Sequence, residues 1–317
     1  MTESEFIYEN IAFEGGGVRG YAYTGVIKQL EVMGHLSKFK RFSGTSVGAL
    51  FATMLAVGFT ADEILGLRKR LDFSDISSKF SLRSLYGICV DFGMNTPNDL
   101  ENQFRNILKD RVNPDITLSD LYRLNGKDLV IVTCCISREK PVYLHHARFP
   151  EVKLIDAMIA SVSVPFVFQP RMFDWFGTND YYVDGGLVDN YPIWVFNDIE
   201  KLYTGDLHLI DKDKISPLTL GIKLLCTGEK NNAEVYDNRR NLKTVIQFGE
   251  ELVNTLMMQI ERNGISPTYI SQTISVKTGN INFLDFKINS EEIDKLVKNG
   301  HKGVELFFKH NTWDIVE

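Results

Sequence analysis

The sequence predicts a layered α/β fold, because strand-like and helix-like segments alternate along most of the chain. The 317 residues are 44% hydrophobic and 24% charged, which is ordinary for a globular protein of this length. No Pro/Gly/Ser-rich linker, block of like charge or internal repeat divides the chain. We therefore predict a single domain over residues 1–317, with a motif-bearing core at about 11–226 and a mainly helical part at about 230–317.

The first two strand–helix pairs follow from the pattern. Phe6–Phe13 is short, β-rich and followed by glycines, which predicts a strand. Tyr21–Met33 has apolar residues at helical spacing and is followed by Gly34, which predicts a helix. Phe39–Ser43 is predicted as the second strand. Val47–Val57 is small and apolar on all sides, which indicates a buried helix.

The middle of the chain is less regular. Residues 74–95 lack clear periodicity and mix aromatic and aliphatic residues with serines and glycines, which predicts a long loop or an interfacial flap. Thr96 and Pro97 are typical of a helix start, with Thr96 as N-cap and the helix running to about Leu108. Further strands are predicted at Leu129–Ser137, Val142–His146 and Tyr181–Val183, and a helix at Val152–Val162.

The part after the last predicted strand, Leu218–Cys226, has helical patterns. Residues 234–262 form a long amphipathic helix candidate. Near the end, Asn289 is followed by Glu292 three residues on, which is the spacing of reciprocal capping at a helix start. The sequence therefore predicts that the chain closes on a helix.

Charge and composition exclude several classes of function. The chain has 41 acidic and 35 basic residues, a formal net charge of −6, whereas a nucleic-acid binder needs a basic face. Its four cysteines have no CxxC spacing, which argues against structural zinc and a disulfide framework. No apolar run of transmembrane length occurs, and the acidic first residues do not resemble a secretory signal. We expect a protein of the cytoplasm, or of a host-cell cytoplasm, with peripheral membrane contact only.

A serine motif carries the first chemical signal. Gly44-Thr45-Ser46-Val47-Gly48 lies between a predicted strand and a predicted helix, which is the setting of a nucleophile elbow. The glycines permit a tight turn, and the following helix dipole favours negative charge at Ser46. An ordinary strand–turn–helix with a capping serine gives the same pattern.

The glycine-rich loop Gly15-Gly16-Gly17-Val18-Arg19-Gly20 follows the first strand. Successive glycines let backbone N–H groups converge on an anion. A dinucleotide-binding loop also has this spacing, but it expects an acid at the end of the next strand. Here the next strand leads into Ser46, which favours an oxyanion hole over a pyrophosphate site. A glycine turn without a ligand also fits.

A third motif, Asp184-Gly185-Gly186, follows a short strand. Asp184 can accept the proton of Ser46 if the two lie within hydrogen-bond reach, and a partly apolar site would raise its basicity. An Asp-Gly-Gly turn is also common without any function. Three histidines follow this aspartate, in the order that a Ser-Asp-His enzyme requires: His208, His301 and His310.

The three motifs, in this order, resemble those of the patatin-like phospholipase family. The family's Gly-x-Gly-x-x-Gly matches Gly15–Gly20, with the basic residue at Arg19. Its Gly-x-Ser-x-Gly matches Gly44–Gly48, and its Asp-Gly-Gly/Ala matches Asp184–Gly186. No motif residue departs from the family's pattern. The likeness covers roughly residues 11–309 and includes two further blocks, Ala160–Pro165 and Asp189–Pro192.

The resemblance implies a three-layer α/β/α sandwich with a mostly parallel central sheet, and a serine acyl hydrolase. Ser46 would attack an ester carbonyl and form an acyl-enzyme, and Asp184 would take the serine proton and later activate water. Backbone N–H groups around Gly16 and Gly17 would bind the oxyanion, helped by Arg19. The implied substrate is a phospholipid or another acyl lipid, and no histidine, metal or cofactor is implied.

Two other functions stay open at this stage. One is a lipid-binding or storage protein with weak esterase activity, which would keep the fold and make little use of Ser46. The other is an α/β-hydrolase esterase that uses a Ser-His-Asp triad.

Overall fold

The computed structural model describes residues 6–67, 92–226, 245–263, 267–285 and 287–310. The strands of this part of the chain are β1 (Asn10–Phe13), β2 (Arg41–Thr45), β3 (Gly93–Asn95), β4 (Asp128–Cys135), β5 (Lys140–Leu144), β6 (Phe166–Phe168), β7 (Arg171–Phe173), β8 (Asp180–Asp184), β9 (Thr219–Cys226) and β10 (Thr273–Gly279). The α-helices are α1 (Tyr21–Val32), α2 (Val47–Val57), α3 (Ala61–Gly66), α4 (Asn98–Leu108), α5 (Leu118–Asn125), α6 (Leu154–Val162), α7 (Ile199–Thr204), α8 (Val245–Asn263), α9 (Pro267–Ile270) and α10 (Ser290–His310).

The central sheet has the strand order β10-β9-β1-β2-β4-β8-β7, and β5 also pairs with β4. The five strands from β10 to β4 are mutually parallel. The strands β5, β8 and β7 add antiparallel pairs at the β4 end. The mostly parallel sheet is therefore confirmed. The short strands β3 and β6 form a separate parallel pair.

Side chains of alternate strand residues enter two cores, one on each face of the sheet. Ile11 and Phe13 of β1 belong to the large core, which is covered by α1, α2, α4, α6, α8 and α10. Ala12 of β1 and Val130 of β4 belong to the smaller core, which is covered by a thin layer that includes α7 and α9. The predicted α/β/α sandwich is confirmed, with two layers of helices of very unequal thickness.

Most predicted elements are found, with shifted ends. The first strand begins at Asn10 rather than Phe6, and the second runs on to Thr45. Helix α2 has the predicted bounds and ends at Gly58, whose φ of 94° lies in the left-handed region that glycine tolerates. Pro97, not Thr96, occupies the N-cap of α4, and no side chain caps this helix.

Two predicted segments extend outside the described residues. Of the expected flap at 74–95, only residues 92–95 are described, and three of them form β3. Of the helix expected at 234–262, residues 234–244 lie outside the description, and α8 covers the remainder.

The C-terminal part holds a strand that the sequence pattern did not reveal. The strand β10 pairs in parallel with β9, so residues after 230 supply one edge of the central sheet. The closing helix α10 is preceded by the predicted reciprocal cap. The Asn289 N–H donates to Glu292 Oε2 at 3.0 Å, and the Glu292 N–H donates to Asn289 Oδ1 at 2.9 Å. None of the described helices combines the length and apolarity needed to cross a membrane.

Candidate active site

Ser46 is the single residue between the end of β2 and the start of α2, and its backbone is strained. Its φ of 55° and ψ of −128° are rare for a residue other than glycine, and such strain is commonest at functional sites. The flanking glycines allow this geometry. A Cβ on Gly44 would lie 2.4 Å from the Gly48 carbonyl carbon, and one on Gly48 would lie 2.5 Å from the Phe13 oxygen.

Strand register brings Asp184 to Ser46. Along one edge of β4, β2 pairs as far as Thr45 opposite Val132. The strand β8 takes the next position, with Asp184 opposite Thr133, and runs the other way. Since β5 fills the opposite edge of β4 over the same residues, the ends of β2 and β8 must meet head to head. The elbow serine and the aspartate are therefore neighbours, although 138 positions separate them in the sequence (184 − 46).

One short segment at the end of α6 holds both residues in place. The Ser161 hydroxyl oxygen accepts the Ser46 N–H at 2.9 Å and donates its own hydrogen to the Val132 carbonyl at 2.6 Å. Two residues on, the Ser163 carbonyl accepts the Asp184 N–H at 2.9 Å. Sequence reasoning noticed the Ala-Ser-x-x-x-Pro block but assigned Ser161 no role, because nothing local indicates this contact.

The Asp184 carboxyl has a pKa well above the ordinary value for an aspartate. It is fully buried, and this burial raises its pKa to about 7, against the opposing effects of the Ser46 side chain and the Gly186 N–H. Its Oδ1 accepts the Gly186 N–H at 2.7 Å. Its Oδ2 is buried, and no hydrogen bond to this oxygen is found among the described residues. An unpaired carboxylate oxygen beside a hydroxyl can accept a proton.

The glycine-rich loop is fixed at its start and leaves two backbone donors open. The Gly15 N–H donates to the Asn190 carbonyl at 2.9 Å, and Asn190 Nδ2 donates to the Gly15 carbonyl at 3.1 Å. The Val18 N–H is taken by the Phe283 carbonyl. Within the described residues, the N–H groups of Gly16 and Gly17 find no acceptor. They are the donors that an oxyanion could use.

The side chain of Arg19 is buried and contacts the backbone of the glycine-rich loop. It is 2% exposed, its Nε donates to the Gly16 carbonyl at 3.3 Å, and its guanidinium lies 5.8 Å from the Phe283 ring centre. Arg19 therefore stabilises the loop conformation that presents the N–H groups. Gly20 is needed for packing on the elbow, because a Cβ there would lie 2.6 Å from Val47 Cγ2.

A buried ion pair, which sequence reasoning missed, lies under the loop. Glu14 directly precedes Gly15, and its Oε1 lies 2.5 Å from Lys223 Nζ of β9, with both side chains buried. Its Oε2 accepts the Leu224 N–H at 2.8 Å. These contacts tie the end of β1 to β9 at the point where the loop begins.

Beside Ser46 is a small cavity of about 50 Å³ with an almost wholly apolar wall. Gly17 of the loop and Met257 of α8 are part of this wall. The other lining residues are Val18, Val47, Leu50, Leu100, Phe104, Val162, Val164, Phe168, Phe283 and Leu284. Apolar surroundings strengthen electrostatic interactions with groups that react beside them.

The described residues offer neither a triad histidine nor a metal site. His208 is exposed, and His301 Nδ1 lies 3.4 Å from Gln29 Oε1. No described histidine hydrogen-bonds to Ser46 or Asp184. Across the described ranges, no group of three or more His, Cys, Asp or Glu side chains could hold a metal ion. The strand after the glycine loop ends in Thr45 and not in the acid that a dinucleotide site expects.

Comparison with known proteins finds matches over much of the chain. A family model described as patatin-like phospholipase matches residues 11–197. The uncharacterized protein R571 of Acanthamoeba polyphaga mimivirus is 28% identical over 305 residues, which cover 95% of this chain and 94% of that protein. The probable lipid hydrolase 463L of invertebrate iridescent virus 6 is 27% identical over 193 residues, which cover 59% of this chain and 62% of that protein.

The fold is also shared with a solved structure. VipD from Legionella pneumophila matches with a TM-score of 0.60 at 16% identity, and the match covers 96% of this chain and 67% of VipD. At this identity the likeness concerns the fold alone.

Proposed function

The chain belongs to the patatin-like phospholipase family, and from this membership we propose that it hydrolyses acyl esters of phospholipids or related lipids through a Ser46–Asp184 dyad. The observation that carries the proposal is the head-to-head meeting of β2 and β8 on one edge of β4. This meeting puts a strained serine beside a buried aspartate with one unpaired oxygen.

The first half-reaction would transfer the acyl group to the protein. Asp184 accepts the Ser46 proton while Oγ attacks the ester carbonyl carbon, and the carbonyl oxygen becomes an oxyanion. The N–H groups of Gly16 and Gly17, together with the N-terminus of α2, stabilise this charge. Asp184 then gives its proton to the leaving alcohol oxygen as the ester bond breaks, which leaves an acyl-enzyme.

The second half-reaction would release the fatty acid. Asp184 takes a proton from water, and the resulting hydroxide attacks the acyl-enzyme carbonyl carbon. The bond between this carbon and Ser46 Oγ then breaks, and Asp184 returns the proton to Oγ. An aspartate with a pKa of about 7 suits both directions of transfer, because it accepts and releases a proton near neutral pH.

The dyad is tested by Ser46→Ala and Asp184→Asn, which we expect to abolish ester hydrolysis while the fold survives. Asparagine keeps the shape of aspartate but cannot take the proton. Matched controls lie on the same two strands: Ser43→Ala removes a buried hydroxyl that donates to the Pro192 carbonyl, and Asp180→Asn removes a buried carboxylate. Mass spectrometry of the products from mixed liposomes measures turnover.

Two results would contradict the proposal. Near-full turnover by either dyad variant would show that the dyad is wrong. A folded wild-type protein that binds liposomes, releases no acyl product and does not react with a fluorophosphonate would be a lipid-binding protein instead.

A further inference from the structure

A second and much larger cavity, which we call the apolar groove, has a volume of about 680 Å³ and starts beside the Asp184 turn. Val183 precedes Asp184, and Leu187 and Val188 follow the Asp184–Gly186 turn; all three line the groove. Helix α8 borders both cavities, because Met257 lines the small cavity at Ser46 while Leu252, Val253 and Leu256 line the groove. The remaining lining residues are Phe92, Cys134, Ile136, Glu139, Pro165, Phe166, Pro170 and Tyr181.

The groove presents apolar side chains to solvent. Ile136, Leu252 and Leu256 are 48%, 47% and 49% exposed, and Phe92 is also exposed. Glu139 supplies the one carboxylate among the described residues that line the groove. A polar ligand would find few partners along this wall, whereas a hydrocarbon chain would cover surface that is now in contact with water.

Three residues with strained backbone conformations line the groove. Among the described residues, four that are not glycine have a positive φ: Ser46, Phe92, Glu139 and Phe166. One is the elbow serine, and the other three line the groove. Such conformations persist only where the surroundings impose them, and they concentrate at functional sites. At Phe166 the surroundings include Gly249 of α8, where a Cβ would lie 3.1 Å from the phenyl ring.

We propose that the apolar groove binds the acyl chain that stays on the leaving group, so that the substrate is a diacyl lipid. This assignment rests on the proposed function. Asp184 must hand its proton to the leaving oxygen, so the leaving alcohol has to lie on the Asp184 side of the scissile bond. Residues on both sides of the Asp184–Gly186 turn line the groove: Val183 precedes the turn, and Leu187 and Val188 follow it. The cavity at Ser46 has no room for a second chain, whereas 680 Å³ lies within the range that encloses whole ligands.

The test compares two substrates that share the scissile ester. A short-chain diacyl phosphatidylcholine carries the second chain, and the matching monoacyl lysophosphatidylcholine lacks it. We expect Ile136→Asp and Leu256→Asp to lower kcat/KM for the diacyl lipid by roughly tenfold or more, and to leave the monoacyl value within about twofold. Leu124→Asp, on the exposed face of α5, is the matched control and should change neither value.

Loss of the same size on both substrates, or no loss on the diacyl lipid, would overturn the assignment. A second measurement separates the groove from the chemistry. In a Ser46→Ala background, a dialkyl ether phosphocholine is titrated by intrinsic fluorescence, and the groove variants should weaken its binding by roughly tenfold.

Unchanged ether-lipid binding in the groove variants would overturn the groove assignment even if the wild type hydrolyses lipid. Conversely, a wild type that cleaves no ester, together with groove variants that lose ether-lipid binding, would uphold the groove as a lipid-chain site. That result would overturn only the proposed hydrolase activity.

Discussion

Ser161 makes a side-chain contact with the backbone of the elbow serine. The hydroxyl oxygen of Ser161 accepts the N–H of a serine held at a φ of 55°. We predict that Ser161→Ala lets Ser46 relax and lowers kcat on the order of tenfold or more with KM nearly unchanged, because small displacements of a nucleophile are costly. Steady-state kinetics measure this split between kcat and KM, and Ser161→Thr, which keeps the hydroxyl, should restore part of the loss.

The control for Ser161 lies two residues away. Ser163 is equally buried, but its hydroxyl donates to the Ile159 carbonyl within the same helix, and Ser163→Ala keeps the carbonyl that accepts the Asp184 N–H. Both alanine variants should lose about 1–2 kcal/mol of stability. An equal loss of kcat in both would show that Ser161 acts only through packing.

The raised pKa of Asp184 also predicts a pH-dependent stability. In the folded protein this carboxyl titrates near pH 7, and in the unfolded chain near the ordinary value of 3.8. The folded state therefore keeps a proton that the unfolded state has released, and stability falls as the pH rises from about 4 to about 7. Asp184→Asn removes this penalty, so its stabilising effect should grow on the order of 2–3 kcal/mol between pH 5 and pH 8.

Urea titrations at the two pH values measure this effect without any need for activity. Ser46→Ala keeps the buried carboxylate, and it should keep at least the wild-type dependence on pH. A stability difference between Asp184→Asn and wild type that does not vary with pH would place the pKa of Asp184 in its ordinary range.

At the scale of elements, two adjacent glycines of the glycine-rich loop differ in backbone conformation and in the space around them. Gly17 has a φ of 52°, and a Cβ there would lie 2.0 Å from the Phe283 carbonyl oxygen. Gly16 has a φ of −175°, which lies outside the left-handed region, and its Cβ would meet the flexible end of Leu224. We predict that Gly17→Ala lowers kcat by roughly 10²-fold or more through a displaced oxyanion donor, whereas Gly16→Ala retains much of it.

Gly34 provides the control for strain alone. Its φ of 72° also lies in the left-handed region, but nothing lies within 4 Å of its Cβ position. Gly34→Ala should cost about 1 kcal/mol of stability and leave kcat unchanged. If Gly17→Ala also kept kcat and only raised KM, the loop would contribute uniform binding rather than transition-state stabilisation.

The elements also show which parts of the fold and of the site can be predicted from the sequence. The bounds of helix α2 could be predicted from its apolar run and Gly58, because these signals are local. The motifs made Ser46 and Asp184 candidates for the same reason, and the structure brings these two residues together. The strand β10 was not predicted, because seven residues in which buried and exposed side chains roughly alternate give a weak signal beside long helices. The hydrogen bond between Ser46 and Ser161 was not predicted, because it joins residues 115 positions apart and depends on strand register.

For the whole molecule, the C-terminal part is joined to the motif core at close range. Helix α10 crosses α1 at two glycines: a Cβ on Gly25 would lie 1.9 Å from the Val297 oxygen, and one on Gly300 would lie 2.1 Å from the Ala22 oxygen. The neighbouring strand β10 pairs with β9, whose Lys223 reaches the glutamate beneath the glycine-rich loop. This continuity favours cooperative unfolding of the two parts.

We predict that Gly300→Ala destabilises the entire protein by about 2–3 kcal/mol, because a methyl group against backbone forces the two helices apart. Far-UV circular dichroism follows the helices, and fluorescence reports on the tryptophans, including the buried Trp194 on the other face of the sheet. Both probes should shift together in one transition. Gly303→Ala is the control, because its Cβ would lie 3.2 Å from a valine methyl and 3.3 Å from the Ser275 oxygen, which needs far smaller shifts than the 2.1 Å approach at Gly300. Alanine also favours the helix. Separate transitions by the two probes in Gly300→Ala would show that residues after 230 fold as a unit of their own.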